Sequence, residues 1–303
     1  METPNPTDIL WLTERTGCLP LRLHVGVLRQ GRDCLLVDSG IDRSAGNRIA
    51  AAIGAAGLTA IGLLITHSHA DHCGGNAALH AKLGITAWAP PLECAVLRHP
   101  ELEPMALYGA APQSVLGSKF FLAAPTPVAE PLELGAQVIG GVPFTAIPLH
   151  GHCPQQYGYL SQDGVLFCGD ALFPAYVWEK YGLPYFFDID GALAAFDAIE
   201  ALTPSLTACV TAHNGPVDDV AVLVQANRQG LRAAADWLAD CLHQQPLSRE
   251  DALAEAFTAF GLEQNEAQFY LVGSTVAALL THLVKAGRAA TQMKNGRLRY
   301  HAL

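Results

Sequence analysis

The sequence predicts an α/β (α+β) protein. Short apolar runs, read as buried strands, alternate with Ala- and Leu-rich runs read as helices. Several strand-like runs end in a histidine or a carboxylate, and layered α/β folds place their sites at such exits. The densest exit is Thr66-His67-Ser68-His69-Ala70-Asp71-His72-Cys73-Gly74-Gly75. Neutral imidazoles and carboxylates are good ligands for zinc and similar ions. A lone histidine would pass as a surface residue; H-x-H-x-D-H on a strand-to-loop exit does not.

Taken in order, Ile9 to Leu12, Leu21 to Leu28 and Cys34 to Val37 read as strands, with Gln30-Gly31-Arg32-Asp33 turning the last two into a hairpin. Asp38-Ser39-Gly40 ends the third. Residues 44–57 read as a helix stopped by Gly57. A strand at 61–66 delivers the histidine cluster; Gly74-Gly75 is expected to break the backbone before a helix at 76–83. A strand ending at Trp88 follows. Residues 90–127 are proline-rich with irregular apolar positions, so they read as an insertion or lid, with a short helix at 91–98.

Strands resume at Gln137–Ile139 and Phe144–Ile147 and lead to a second histidine segment, Leu149-His150-Gly151-His152-Cys153-Pro154. Val165 to Cys168 is a strand with Gly169-Asp170 at its end. Residues 171–188 form an aromatic-rich loop; a helix at 190–201 and a strand from Leu206 to Val210 then present His213. His150 suits a surface or supporting place as well as a ligand position. A long helix spans 218–244. Ser248 caps a further helix, Val276 to Ala286 is another, and Lys294-Asn295-Gly296 turns a hairpin.

The chain has 303 residues and is 50% hydrophobic, enough for one large domain plus a small one. No apolar run reaches about 18 residues, so no membrane span is expected. Met1-Glu2-Thr3-Pro4 lacks a basic-then-apolar signal pattern. The 8 cysteines include no C-x-x-C pair and read as buried reduced thiols, which points to the cytoplasm. A formal net charge of −10 disfavours nucleic acid as a partner of the whole protein.

Asp38-Ser39-Gly40, His67-Ser68-His69-Ala70-Asp71-His72, Gly151-His152-Cys153-Pro154, Cys168-Gly169-Asp170 and His213-Asn214-Gly215 occur in an order that resembles the metallo-β-lactamase fold superfamily, on its glyoxalase II-like side. The resemblance implies an αββα sandwich over residues 1–217, with the insertion at 90–127. It leaves 218–245 as a connecting helix and 246–303 as a winged-helix-like module. Gln155 and Gln156 stand where many glyoxalase II-like members carry a further Gly-His, and zinc β-lactamases put Cys or Ser where this chain has Asp170.

By resemblance, His67, His69 and His152 hold one metal, Asp71, His72 and His213 a second, and Asp170 bridges them. Two divalent ions are implied, with zinc first and iron or manganese compatible with the donors. Such a pair activates a bridging hydroxide, for which Asp71 is the candidate proton acceptor. The leading reading is a dinuclear hydrolase of a small ester, thioester or lactone. The acidic chain, the aromatic stretch and the lid point to an uncharged or partly apolar substrate.

Three other readings compete. A phosphodiesterase or nuclease would use the same metals, but the catalytic domain shows no basic run. A ligand-sensing regulator would bind DNA through the winged helix. A mononuclear iron persulfide dioxygenase would use His67, His69, His152 and Asp170. From Ala267 to Leu303 there is no Asp or Glu, while Lys285, Arg288, Lys294, Arg297 and Arg299 are basic. The candidate recognition helix, Ser274 to Lys285, is otherwise mostly apolar, so packing or a homodimer contact is the expected role.

Overall fold

The computed structural model describes residues 8–303; the N-terminal Met1–Pro4 stretch lies outside the described residues. Strands β1 (Leu10–Trp11), β2 (Thr16–Pro20), β3 (His24–Gln30), β4 (Asp33–Val37), β5 (Thr59–Leu64), β6 (Ala87–Ala89) and β7 (Ala129–Pro131) form one sheet in chain order. Its first three pairings are antiparallel and its last three parallel. The parallel pairs need crossovers. α1 (Arg43–Ala55) supplies the first; α2 (Ala70–Cys73) and α3 (Asn76–Leu83) supply the second; α4 (Pro91–Arg98) and α5 (Leu102–Tyr108) lie in the third.

The second sheet contains β8 (Gly135–Ile139), β9 (Val142–Pro148), β10 (Tyr157–Ser161), β11 (Val165–Phe167), β12 (Ala208–Thr211) and β13 (Gly215–Pro216), also in sequential order. Only β11 and β12 pair in parallel. Their crossover carries α6 (Ala175–Tyr181) and α7 (Ile189–Leu202).

Alternation along the strands decides the layers. Leu35 and Val37 face the second sheet and meet Phe144, Tyr159 and Phe167; their neighbours Cys34 and Leu36 face the other way, onto Ile49, Ile53 and Leu79. Both faces of the first sheet are therefore buried, and each fully buried Leu or Val there stabilises by about 1.5–3 kcal/mol. A Cβ on Gly26 would lie 2.7 Å from the Phe167 ring, so this glycine makes room for an aromatic side chain between the sheets.

The outer face of the second sheet is covered by α7 and by α8 (Val220–Gln244), α9 (Arg249–Ala259) and α10 (Glu266–Lys285). The hairpin β14 (Ala289–Lys294) and β15 (Arg297–Ala302) closes this layer through backbone bonds between Leu247 and Tyr300. The result is an αββα sandwich. Among the described residues α10 alone is long and apolar enough to cross a membrane by composition, with mean hydropathy 1.4. Here Val272, Val276, Leu279 and Leu283 are buried in the same core as Phe196, Leu231 and Leu238.

Some elements differ from the sequence reading. β2 was hidden because Gly17 and Pro20 interrupt its apolar pattern. The aromatic stretch contains α6, started by Pro174. Gly74 and Gly75 part α2 from α3 as expected, but they do so without leaving the helical range, with φ angles of −62° and −83°. They are small because a Cβ would lie 2.1 Å from the Ile41 carbonyl at Gly74 and 2.2 Å from the Ser39 carbonyl at Gly75.

Asp163, in the β10–β11 turn, accepts from the Thr13 and Thr16 hydroxyls and from Ser161 at 2.8 Å, tying the edge of one sheet to a turn of the other. Burial alone would raise its carboxyl, but these hydroxyls outweigh that and hold it at about 2. Its folded value is thus depressed. The stability it contributes is full above the unfolded value of about 3.9 and is lost as pH falls through the folded one. Asp163→Ala should lower the unfolding free energy by about 1–3 kcal/mol at neutral pH. Urea titrations of wild type and variant should converge as pH drops toward about 2.

Candidate metal centre

The carboxyl ends of β5, β11 and β12 and the loop before β10 open at one edge of the sandwich. The β5 exit supplies His67, His69, Asp71 and His72; the second sheet supplies His152, Asp170 and His213. His69 Nδ1 lies 3.0 Å from His67 Nε2 and 2.8 Å from His152 Nε2. His213 Nε2 lies 3.5 Å from Asp71 Oδ2 and 3.0 Å from Asp170 Oδ2. His72 Nε2 lies 3.4 Å from Asp170 Oδ1. Three groups result, His67/His69/His152, His67/His72/Asp170 and Asp71/His72/His213, each with donor atoms within 4.8 Å of one another. His150 falls outside them; its ring is 6.3 Å from that of Tyr157.

The second nitrogen of four of these imidazoles is held from outside. Thr66 Oγ1 lies 3.1 Å from His67 Nδ1. Asp38 Oδ2 accepts from His72 Nδ1 at 2.8 Å. The Tyr185 carbonyl accepts from His152 Nδ1 at 3.1 Å. Glu103 Oε1, on α5, lies 3.4 Å from His69 Nε2. Such partners fix the tautomer and aim the remaining lone pair inward. Burial, reinforced by neighbouring imidazoles, holds His67 well below its usual range and His152 down at about 3, so both stay neutral donors.

Two atoms test whether a cation fits. His72 Nε2 and Asp170 Oδ1 are buried without a hydrogen-bond partner. With His72 Nδ1 given to Asp38, a positive charge is needed between the two facing atoms. Burial opposes a charged His72, yet Asp170 and Asp38 hold it well above its usual range, so the place is filled by a proton or by a cation that displaces it. The donor set suits a divalent ion.

Sequence reasoning missed the residues behind this cluster. Asp38 lies in the Asp38-Ser39-Gly40 motif at the end of β4, where nothing local in the sequence points to its partners. Its φ of 61° is left-handed, and it also accepts from Thr66 N at 2.8 Å and Thr66 Oγ1 at 2.9 Å. Glu93, on α4, is buried, and among the described residues it forms no ion pair with a Lys or Arg. Its carboxylate accepts from Ser68 N at 3.0 Å, Ser68 Oγ at 2.6 Å and Gln155 N at 3.2 Å. It thereby joins the two loops that carry His67, His69 and His152. A glutamate inside a proline-rich insertion gave no signal of this in the sequence. All 8 cysteines are free thiols, and burial pushes the Cys153 thiol, beside His152, well above its usual range.

A cavity of about 640 Å³ opens onto the cluster. Its walls include Leu107, Phe120 and Phe121 from the insertion, Phe173 and Tyr185 from the aromatic stretch, and Leu271 from α10.

A family model, the metallo-beta-lactamase superfamily, matches residues 20–213. The chain belongs to that superfamily. Relatives by sequence include a hydroxyacylglutathione hydrolase of Albidiferax ferrireducens, 31% identical over 195 residues, covering 63% of this chain and 61% of that protein. Another, from Dechloromonas aromatica, is 29% identical over 214 residues, covering 69% and 65%. The chain thus spans less than two thirds of either relative. A solved beta-lactamase domain protein from Burkholderia ambifaria superposes with a TM-score of 0.75 at 20% identity, covering 99% of this chain and 95% of that one. A metallo-beta-lactamase family protein from Thermus thermophilus gives 0.73 at 19%, covering 93% and 94%. At these identities the solved structures speak to the superfamily fold alone.

Glu93→Gln replaces an acceptor by an amide whose NH2 must face a donor. Metal affinity, read by chelator competition, should fall about tenfold or more, and Glu93→Asp should recover part of it.

Proposed function

We propose that this protein is a metal-dependent hydrolase with two divalent ions, acting on a small ester, thioester or lactone. The observation that carries the reading is that His72 Nε2 and Asp170 Oδ1 face each other 3.4 Å apart, buried and without a hydrogen bond, inside a cluster whose other donors fall into two sets around them. His67, His69 and His152 would hold one ion, Asp71, His72 and His213 the other, and Asp170, with one oxygen toward His72 and one toward His213, both. Ions at these donors lower the pKa of a water and polarise a carbonyl oxygen. Zinc, iron and manganese all suit nitrogen and carboxylate donors. The hydroxyacylglutathione hydrolase relatives support a thioester among the substrates.

The chain's own residues supply the rest. Asp71 is about a third exposed and lines the cavity, so its carboxylate is placed to take a proton from water and pass it to the leaving group. Leu107, Phe121 and Phe173 give the acyl part an apolar wall and keep bulk water away.

The segment 246–303 serves packing in this reading. In its candidate recognition helix, Thr275, Val276, Leu279, Leu280 and Leu283 are buried, so that face cannot enter a groove of DNA. Thr275 Oγ1 accepts from Phe186 N at 3.0 Å and donates to the Pro184 carbonyl at 3.2 Å, fastening α10 to the aromatic wall.

Elemental analysis should find close to two metals per chain. Asp170→Ala should lose metal and esterase activity together; full activity with a single metal would remove the bridging role. Asp71→Asn should lower kcat by about 10²–10⁴-fold with its urea midpoint little changed. Near-native kcat in that variant with metals bound would refute its role in proton transfer.

A further inference from the structure

We propose that the cavity recognises a carboxylate or phosphate group carried by a small acyl substrate, and that Arg22, Arg48 and Lys180 form the site for it. The proposal deepens the hydrolase reading and rests on it.

Three exposed cations, Arg22, Arg48 and Lys180, stand at one cavity without an ion-pair partner among the described residues. Of the 18 Lys and Arg in this acidic chain, Arg22, Arg48, Lys119 and Lys180 line this one cavity. The cavity also has carboxylates, but each is engaged. Asp42 pairs with Lys119 at 3.0 Å. Glu103 rests 3.4 Å from His69. Asp71 and Asp170 sit in the histidine cluster, where bound cations would offset them. Among the described residues, none of the ion pairs includes Arg22, Arg48 or Lys180.

These three cations come from separate elements. Arg22 is in the β2–β3 turn, Arg48 on α1 and Lys180 on α6. Lys180 Nζ lies over the Tyr181 ring at 4.7 Å, and its contact with Tyr181 holds the ammonium above its usual range although Arg22 is near enough to lower it. Exposed cations gathered at one mouth cost little in water, and their summed field raises the local concentration of anions there. The rest of the wall is apolar, with Leu107, Phe121, Phe173 and Leu183. The matching ligand is therefore apolar in its body and anionic at one end.

The shape favours a small molecule. A cavity of about 640 Å³ is the size of a metabolite site. A nucleic-acid strand needs an extended basic track, and the net charge of −10 opposes one.

The test uses the metal-loaded enzyme and substrate pairs that differ by one charge. The acetyl thioester of 3-mercaptopropionate is compared with that of mercaptoethanol, and 4-nitrophenyl hydrogen glutarate with 4-nitrophenyl butyrate. In at least one pair kcat/KM should favour the anion by about tenfold or more at low salt. The preference should shrink at about 0.15 M salt, where the screening length is about 8 Å. The triple variant Arg22→Ala/Arg48→Ala/Lys180→Ala should bring the ratio toward one, while Lys294→Ala, on the exposed C-terminal hairpin, should keep it. Equal rates within both pairs, or a preference that survives the triple variant, would overturn the proposal. Preferential cleavage of a single-stranded oligonucleotide, lost in the triple variant, would overturn the small-molecule assignment.

If none of these compounds is hydrolysed, the hydrolase reading is what suffers. Calorimetric binding of glutarate and of inorganic phosphate then judges the rim alone. Binding weakened about tenfold in the triple variant supports it; equal binding sinks it.

Discussion

The buried carboxylate of Asp38 is the contact on which this edge of the sandwich depends. It stands at the end of β4 and takes hydrogen bonds from Thr66 N, Thr66 Oγ1 and His72 Nδ1. One side chain thus fixes where β5 stops, which way the following loop turns and which nitrogen of His72 is left for other partners. The left-handed backbone at Asp38 costs little for an aspartate and lets Ser39 and Ile41 present carbonyls to Gly74 and Gly75. Without those glycines α2 could not lie so close, and Asp71 and His72 would swing away from Asp170.

The insertion does more than roof the cavity. Glu93 and Glu103 come from it, and each touches the environment of the first histidine group. Glu93 holds the backbone of the two loops; Glu103 rests on the outer nitrogen of His69. A buried carboxylate without a cation is costly, and Glu93 is tolerated because backbone and hydroxyl donors satisfy it. Movement of α4 and α5 would therefore be felt at His69 and His152, which couples the roof to the chemistry beneath.

How much of this was legible follows from the range of each signal. The histidine cluster, Asp170 and His213 stand at the ends of recognisable strands, so local pattern was enough to find them and the structure brings them together. The layers were legible from alternation and from the resemblance. β2 was not, because Gly17 and Pro20 disguise a strand whose place is set by pairing with β3. Glu93 and Glu103 were invisible because their partners lie tens of residues away. The rim of Arg22, Arg48 and Lys180 was obscured for another reason. Net charge averages the whole surface, whereas a ligand meets only the side chains that face one cavity.

The histidine cluster draws on both sheets. Residues 67–72 ride on the first, and His152, Asp170 and His213 on the second. Neither half of the chain owns a complete set, so the cluster acts as a vernier for how one sheet lies on the other. Close-packed interiors transmit small displacements with little damping. A core substitution at Phe144 or Phe167 that slid the sheets by a fraction of an ångström would leave most of the burial intact. It would still spread the donor atoms of the two halves apart. The seam between the sheets is then the more exacting part of this scaffold, because helices on the outer faces can shift without moving either half against the other.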